Sequence, residues 1–295
     1  MVSEAFLRRA TAVLIIAGLF ASPCYAADMA STRVSPANSE FITITTHTSK
    51  GFDAQVEALL PSEVAAQALT LKPYLFIVSN PSQQTVVAYC LKFTLSLDDG
   101  STKGQFTVFM DPTAAVTQTW TVTGQYEQLV PGRQRVISIN MVFNPEPRFN
   151  DISWIETYKQ DLDREFPVQH LRSIEIEADA VILADGLLLG PDTADLATKF
   201  TLQVRAQRTL LGVIITQVDR GQALSSVFAG LRVEISRKVD VMFSSGEEDH
   251  TDPWNSDGSV YVFGDILRLW TRKGDELFLK QARTVVNAAA FTVHR

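Results

Sequence analysis

The densest group of potential metal ligands in this sequence lies between residues 244 and 259. Carboxylate and amide oxygens are the donors that Ca²⁺ prefers. The candidate ligands for such an ion are Glu247, Asp249, Asp252, Asn255 and Asp257. Their spacing does not match an EF-hand, because only residues 255–258 reproduce part of that pattern. The segment therefore has two interpretations, a divalent-cation site and a solvated acidic surface loop, of which we favour the loop.

Cys90 is the residue whose type best suits nucleophilic chemistry. It lies in an alternating apolar run over residues 85–97, which is typical of a β-strand. The alternation places Cys90 beside Ala88, on the face opposite Val87, Tyr89, Leu91, Phe93, Leu95 and Leu97. No histidine is close in sequence to lower the pKa of the thiol. We therefore predict a covered strand cysteine and not a nucleophile.

The remaining residues of catalytic type are scattered along the chain. None of the histidines has another histidine at metal-ligand spacing; they are His47, His170, His250 and His294. The sequence contains no Gly-x-Ser-x-Gly elbow, no His-Glu-x-x-His and no nucleotide-binding glycine motif. We therefore assign no catalytic residue, and no cofactor beyond the Ca²⁺ hypothesis. His294, the penultimate residue, is predicted to be disordered.

Tryptophans could stack on sugar rings if they lay on an exposed face. Trp120 falls in a predicted strand and Trp270 in a predicted helix with apolar neighbours, which favours core packing for both. Trp254, which follows Pro253 in the acidic segment, is the best candidate for exposure.

The charge balance excludes one class of partner. The 295 residues carry a formal charge of −7, with a pI of about 5.2. A net negative field repels phosphate backbones, so nucleic-acid binding is disfavoured.

The N-terminus predicts export. Arg8 and Arg9 precede an uncharged apolar run at residues 10–21, and small residues follow Pro23. This pattern is typical of a secretory signal peptide, and the run is too short to span a bilayer. We expect cleavage after Ala26, a flexible linker over 27–40, and a secreted or periplasmic protein. Lipoprotein anchoring through Cys24 is disfavoured because proline directly precedes it.

Two-residue periodicity dominates the next part of the chain and indicates strands. The predicted strands cover 41–46, 74–79, 85–97, 105–110, 117–123, 135–142, 173–184 and 187–189. Residues 51–70 are ambiguous between strand and helical turn. A helix is predicted at 151–165, inside an excursion over 146–172.

Turn motifs in this region resemble those of a known group of proteins. The SNPS turn at 79–82 precedes the long strand, the Asp99-Gly100 turn follows it, and Pro131-Gly132 precedes a later strand. This pattern is similar to that of immunoglobulin-like β-sandwich domains in uncharacterised exported bacterial proteins. The resemblance covers about residues 41–146, with an extension to 190 as the alternative, and implies a sandwich; it brings no catalytic or binding residue.

Amphipathic stretches at 193–218, 223–243 and 265–290 predict a helical region over 191–295. The expected fold class is therefore α+β, an immunoglobulin-like antiparallel β-sandwich over 41–190 followed by helices. The function that we expect is non-catalytic: an exported binding, adhesion or scaffold protein of the cell envelope with a protein or polysaccharide partner. The alternative is a secreted hydrolase acting on a polysaccharide or another envelope polymer. No transmembrane helix is predicted beyond the signal peptide.

Overall fold

The computed structural model describes residues 31–36, 40–110, 128–139, 141–143, 153–167, 170–245 and 257–295. The strands in these ranges are β1 (Ser31–Val34), β2 (Thr43–Thr46), β3 (Leu75–Ser79), β4 (Val86–Leu97), β5 (Thr102–Met110), β6 (Gln134–Ser138), β7 (Met141–Val142), β8 (Leu171–Leu183) and β9 (Leu188–Leu189). The helices are α1 (Phe52–Leu59), α2 (Ser62–Leu69), α3 (Ser153–Glu165), α4 (Leu196–Asp219), α5 (Leu224–Ser245), α6 (Asp257–Lys273) and α7 (Asp275–Asn287). The predicted α+β class is confirmed.

The strands form two sheets. The long sheet has the order β1-β8-β4-β5, with β9 also paired to β8, and the short sheet has the order β2-β3-β6-β7. Every pairing is antiparallel except that of β1 with β8, which is parallel. The long sheet is therefore mixed, and the predicted antiparallel arrangement holds throughout the short sheet and for every pairing of the long sheet except β1 with β8. The segment expected to be a flexible linker, 27–40, contributes β1.

Strand β4 positions Cys90 as its sequence predicts. The thiol lies on the face of Ala88 and is fully buried, and Tyr89 and Leu91 lie on the opposite face. The prediction for Val87 was wrong, because the register with β8 shifts between Val86 and Ala88. This irregularity turns Val87 to the Cys90 face and Val86 to the Tyr89 face.

One hydrophobic core joins the two sheets. The rings of Phe76 in β3 and Phe93 in β4 lie with centroids 5.4 Å apart, which connects the short sheet to the long one. The ambiguous segment 51–70 forms α1 and α2, whose residues Phe52, Val56 and Ala68 enter this core. The predicted helix at 151–165 is confirmed as α3, which packs its apolar side on the same core.

Helix α4 packs on two different cores. Its first half, with Leu196 and Phe200, covers the Cys90 face of the long sheet. Its second half, with Leu211 and Ile214, packs among α5, α6 and α7. The predicted helical C-terminal region is therefore present. The amphipathic stretch 265–290 is two helices, because Gly274 between α6 and α7 adopts φ 73°, outside helical geometry.

The C-terminal residues return to the long sheet, so the prediction that His294 is disordered was wrong. The His294 amide donates to the Gly186 carbonyl (2.9 Å), and the Leu188 amide donates to the His294 carbonyl (2.7 Å). Nearby, the Phe291 ring meets that of Phe200 edge to face at 5.5 Å. Burial of Phe291 and Val293 against the sheet fixes the segment, which sequence position alone does not reveal.

Two further predictions concern a strand at 117–123 and the absence of a transmembrane helix. The predicted strand 117–123 lies outside the described residues. Within the described ranges, none of the helices is both long and apolar enough to cross a membrane.

Candidate functional site

A polar pocket forms where α3 packs beside the end of α2 and the loop that enters β3. We call it the α3 pocket. Its volume is about 410 Å³, and its lining consists of Thr70, Leu71, Lys72, Tyr74, Lys159, Asp163 and Pro167. These residues come from two segments about ninety positions apart in the chain, which the fold brings together.

Hydrogen bonds hold the α3 wall of the pocket in place. The Tyr74 hydroxyl donates to the Phe166 carbonyl, and Lys103 Nζ donates to the Glu165 carbonyl at 2.6 Å. Both acceptors lie at the C-terminal end of α3, where helix carbonyls have no partner within the helix. Nearer the middle of α3, the Tyr158 hydroxyl is 3.3 Å from Ser138 Oγ in β6. The wall is therefore attached to both sheets.

Lys72 already has partners on the other side of the pocket. Its ammonium forms an ion pair with Asp53 and lies 5.9 Å from the centroid of the Phe52 ring. Behind it, burial lowers the pKa of His47, and the charge of Lys72 lowers it further, against the opposing effects of the Pro73 carbonyl and Asp53. The imidazole is therefore neutral at pH 7.

The Tyr74 phenol is also neutral. Its pKa is raised by burial and, to a smaller extent, by the carboxylate of Asp163. Because its proton is donated to the Phe166 carbonyl, the phenol oxygen can only accept a hydrogen bond from a further group in the pocket.

Lys159 and Asp163 are the charged residues of the lining that lack such partners. They are four residues apart on α3, Lys159 half-buried and Asp163 exposed. Among the described residues, neither forms a hydrogen bond or an ion pair, including with the other. The pocket therefore presents one ammonium and one carboxylate to whatever enters it.

A second depression, more open and more apolar, lies between α4 and the C-terminal segment. Its volume is also about 410 Å³, and its lining consists of Leu188, Ala197, Thr198, Thr201, Leu202, Arg205, Val293, His294 and Arg295. Its lining includes the basic side chains of Arg205 and Arg295 and contains no Asp or Glu.

Cys90 lies in the apolar cluster between the long sheet and α4, with the charges of Asp179 and Lys199 close enough to act on it. The buried carboxylate of Asp179 accepts hydrogen bonds from Thr193 Oγ1 (2.5 Å) and the Ala194 amide (3.2 Å). Burial raises the pKa of the Cys90 thiol to about 12, the charge of Asp179 adds to this, and Lys199 partly opposes it. The thiol is therefore protonated and inaccessible, as expected for a covered strand cysteine.

The candidate cation ligands Glu247, Asp249, Asp252 and Asn255 lie outside the described residues, and Asp257 is the first residue of α6. Across the described ranges, no three His, Cys, Asp or Glu residues are grouped as a metal site would require. The cation hypothesis stays a prediction.

Some of the aromatic and histidine candidates also lie outside the described residues, and others lie within them. Trp120, Trp254 and His250 lie outside the described residues. Trp270 stacks on Phe228 with centroids 4.4 Å apart, so its predicted core packing is confirmed. His170 Nδ1 lies 3.0 Å from Asp98 Oδ2 on the surface, and His170 follows Pro167 of the α3 pocket by three residues without itself lining the pocket.

Sequence reasoning missed the α3 pocket. Lys159 and Asp163 looked like ordinary solvent-facing charges of an amphipathic helix, because the apolar stripe through Ile155, Tyr158 and Leu162 was the feature that periodicity could detect. The one available signal was the pair of opposite charges four residues apart, beside that stripe.

Comparison with protein-family models, with curated proteins and with solved structures finds no match to this chain.

Proposed function

We propose that this protein is an exported, non-catalytic binding protein of the cell envelope and that the α3 pocket is its ligand-binding site. The observation that carries the proposal is the presence of Lys159 and Asp163 in the lining of a concave site, without partners among the described residues. Charged groups that converge on a pocket and lack internal partners are typical of ligand recognition.

The rest of the lining supports binding over chemistry. Lys72 is held by Asp53, and the Tyr74 phenol is kept protonated by burial. The Tyr74 phenol is therefore not prepared to act as a base near pH 7, and the Lys72 ammonium is already engaged in an ion pair. The volume of about 410 Å³ lies in the usual range for small-ligand sites, which is roughly 300–1,000 Å³.

Export and the immunoglobulin-like arrangement are part of the same proposal. The signal-peptide pattern supports export. The sandwich is supported by the core that the two sheets share, including the Phe76–Phe93 contact. In this arrangement α3 is an insertion between strands of the sandwich, and the pocket is the consequence of that insertion.

The binding proposal is tested by thermal-shift measurements on the mature protein with a panel of small ligands. The panel contains acetate, phosphate, methylammonium, amino acids, dipeptides and short oligosaccharides. We expect a subset to raise the melting temperature of the parent protein and not that of Lys159→Met/Asp163→Asn. Glu156→Gln on α3 and Lys280→Met on α7 are the matched controls, since both side chains are exposed and outside the pocket.

Two results would overturn the proposal. One is a panel in which no ligand raises the melting temperature of the parent protein. The other is an equal shift in the parent and in the pocket variant, which would place binding elsewhere.

Cell fractionation tests export separately: the chain should move to the envelope or medium, and remain in the cytoplasm when residues 2–26 are deleted. Hydrolysis of an envelope polymer by the mature protein would instead support a secreted hydrolase.

A further inference from the structure

The charges of the α3 pocket restrict the kind of ligand that it can hold. Resting on the proposed function, we infer that the ligand of the α3 pocket is a short zwitterionic peptide with a free ammonium and a free carboxylate, of about dipeptide length. Its carboxylate lies on Lys159 and its ammonium lies on Asp163.

The first step is the count of charges that a ligand can satisfy. The ammonium of Lys72 is paired with Asp53 and lies near the Phe52 ring. Lys159 and Asp163 remain, and their charges are opposite and sum to zero. A simple anion would satisfy Lys159 and be repelled by Asp163, and a simple cation would do the reverse. A ligand with one charge of each sign satisfies both.

The second step is the distance between the two groups. Residues four apart on a helix share a face, with Cβ atoms about 5–6 Å apart. A dipeptide spans at most about 7 Å when extended, because each residue contributes roughly 3.3–3.6 Å. Its two termini can therefore reach Lys159 and Asp163 together.

The third step is the surface between the charges. Leu71 and the Tyr74 ring supply apolar lining from the segment between α2 and β3, and Pro167 supplies it just after the end of α3. The Tyr74 oxygen can accept a hydrogen bond, and the carboxylate of Asp163 lies close enough to raise the pKa of that phenol. An ammonium on Asp163 would therefore have a second acceptor nearby. The pocket thus offers a cationic end, an apolar middle and an acceptor-rich anionic end.

The test uses L-alanyl-L-alanine, its N-acetylated form and its C-terminal amide, titrated calorimetrically into the mature protein. We expect the unmodified dipeptide to bind. Each blocked form should bind with an affinity at least about tenfold lower, since each loses one charge-assisted hydrogen bond. In Asp163→Asn, N-acetylation of the peptide should cost little further affinity, because the carboxylate that pairs with the peptide ammonium is already absent. In Lys159→Met, amidation should cost little further affinity for the same reason.

This pairwise coupling separates recognition from a merely structural role, since a destabilised pocket would weaken all three peptides alike. Lys159→Gln serves as a second variant if Lys159→Met does not fold. Glu156→Gln and Lys280→Met should bind all three peptides as the parent does. Binding that is indifferent to blocking of the termini, or binding of acetate or an oligosaccharide in place of dipeptides, would overturn the zwitterion inference and leave the ligand site intact. Failure of every member of the panel to bind would overturn both.

Discussion

Replacement of Gly186 by alanine should release the C-terminal segment from the long sheet. Gly186 has φ +93°, and a Cβ built at this position would overlap the carbonyl oxygen of Thr292. The overlap is with backbone, so no side-chain rotation relieves it. The segment must move away, and the hydrogen bonds that join Gly186 and Leu188 to His294 must break.

The expected loss of stability follows from these contacts. Placing a residue with a Cβ in a left-handed conformation costs about 1–2 kcal/mol. Each lost backbone hydrogen bond contributes roughly 0.5–1.5 kcal/mol. For the two bonds together with the backbone strain, we expect Gly186→Ala to lower the free energy of unfolding by about 2–5 kcal/mol.

Gly132→Ala is the matched control. Gly132 has φ +73°, and a Cβ there would meet no atom within 4 Å, so this variant should show only the backbone strain. The measurements are urea denaturation of both variants and amide hydrogen exchange at Leu188 and His294. Equal destabilisation of the two variants, or unchanged protection of the Leu188 amide in Gly186→Ala, would refute the reasoning.

Four other outcomes are expected. Burial and the charge of Lys72 hold the pKa of His47 below its ordinary 6.5. The unfolded chain therefore binds more protons than the native protein below pH 6.5, and the urea midpoint should fall as the pH drops through that value. The fall should be smaller in His47→Leu. Asp179→Ala leaves the buried Ala194 amide and the partly buried Thr193 hydroxyl without their acceptor and should lower the free energy of unfolding by about 1–3 kcal/mol in urea denaturation. Cys90 should not react with a thiol reagent in the native protein and should react in urea, since the pKa of the buried thiol is about 12; rapid native labelling would contradict this. Under the cation hypothesis, Ca²⁺ compared with a chelator should raise the melting temperature of the parent protein and not that of Asp252→Ala/Asp257→Ala; an unchanged parent would support a solvated acidic loop.

The elements that sequence predicted best are those in which one repeat governs the whole segment. Strand β4 alternates without interruption from Tyr89 to Leu95, so the burial of Cys90 on the opposite face could be read from the pattern. Helix α3 was predicted because one apolar stripe at helical spacing fits only a helix. The faces of β4 on which Val86 and Val87 lie could not be predicted, because they depend on a register shift against β8, a strand about ninety residues away in the chain.

Pairings between distant segments were beyond sequence reasoning for a similar reason. The β1 residues Ser31–Val34 are mostly polar and exposed, so nothing in their composition distinguishes them from a linker. Their strand conformation comes from hydrogen bonds to β8. The α3 pocket is the same case, because no local pattern shows that Lys72 and Lys159 line one cavity.

Helix α4 has a consequence for how the molecule unfolds. It contributes Phe200 to the core on the long sheet and Leu211 to the core among the helices, and these positions are only three turns apart on one rigid rod. The residues after α7 then return to β9, so the helical region is tied to the sheet at both of its ends. Fraying at either end therefore leaves the other attachment to hold the region in place. We accordingly expect the sheets and the helices to melt as one cooperative unit, with coincident calorimetric and spectroscopic transitions.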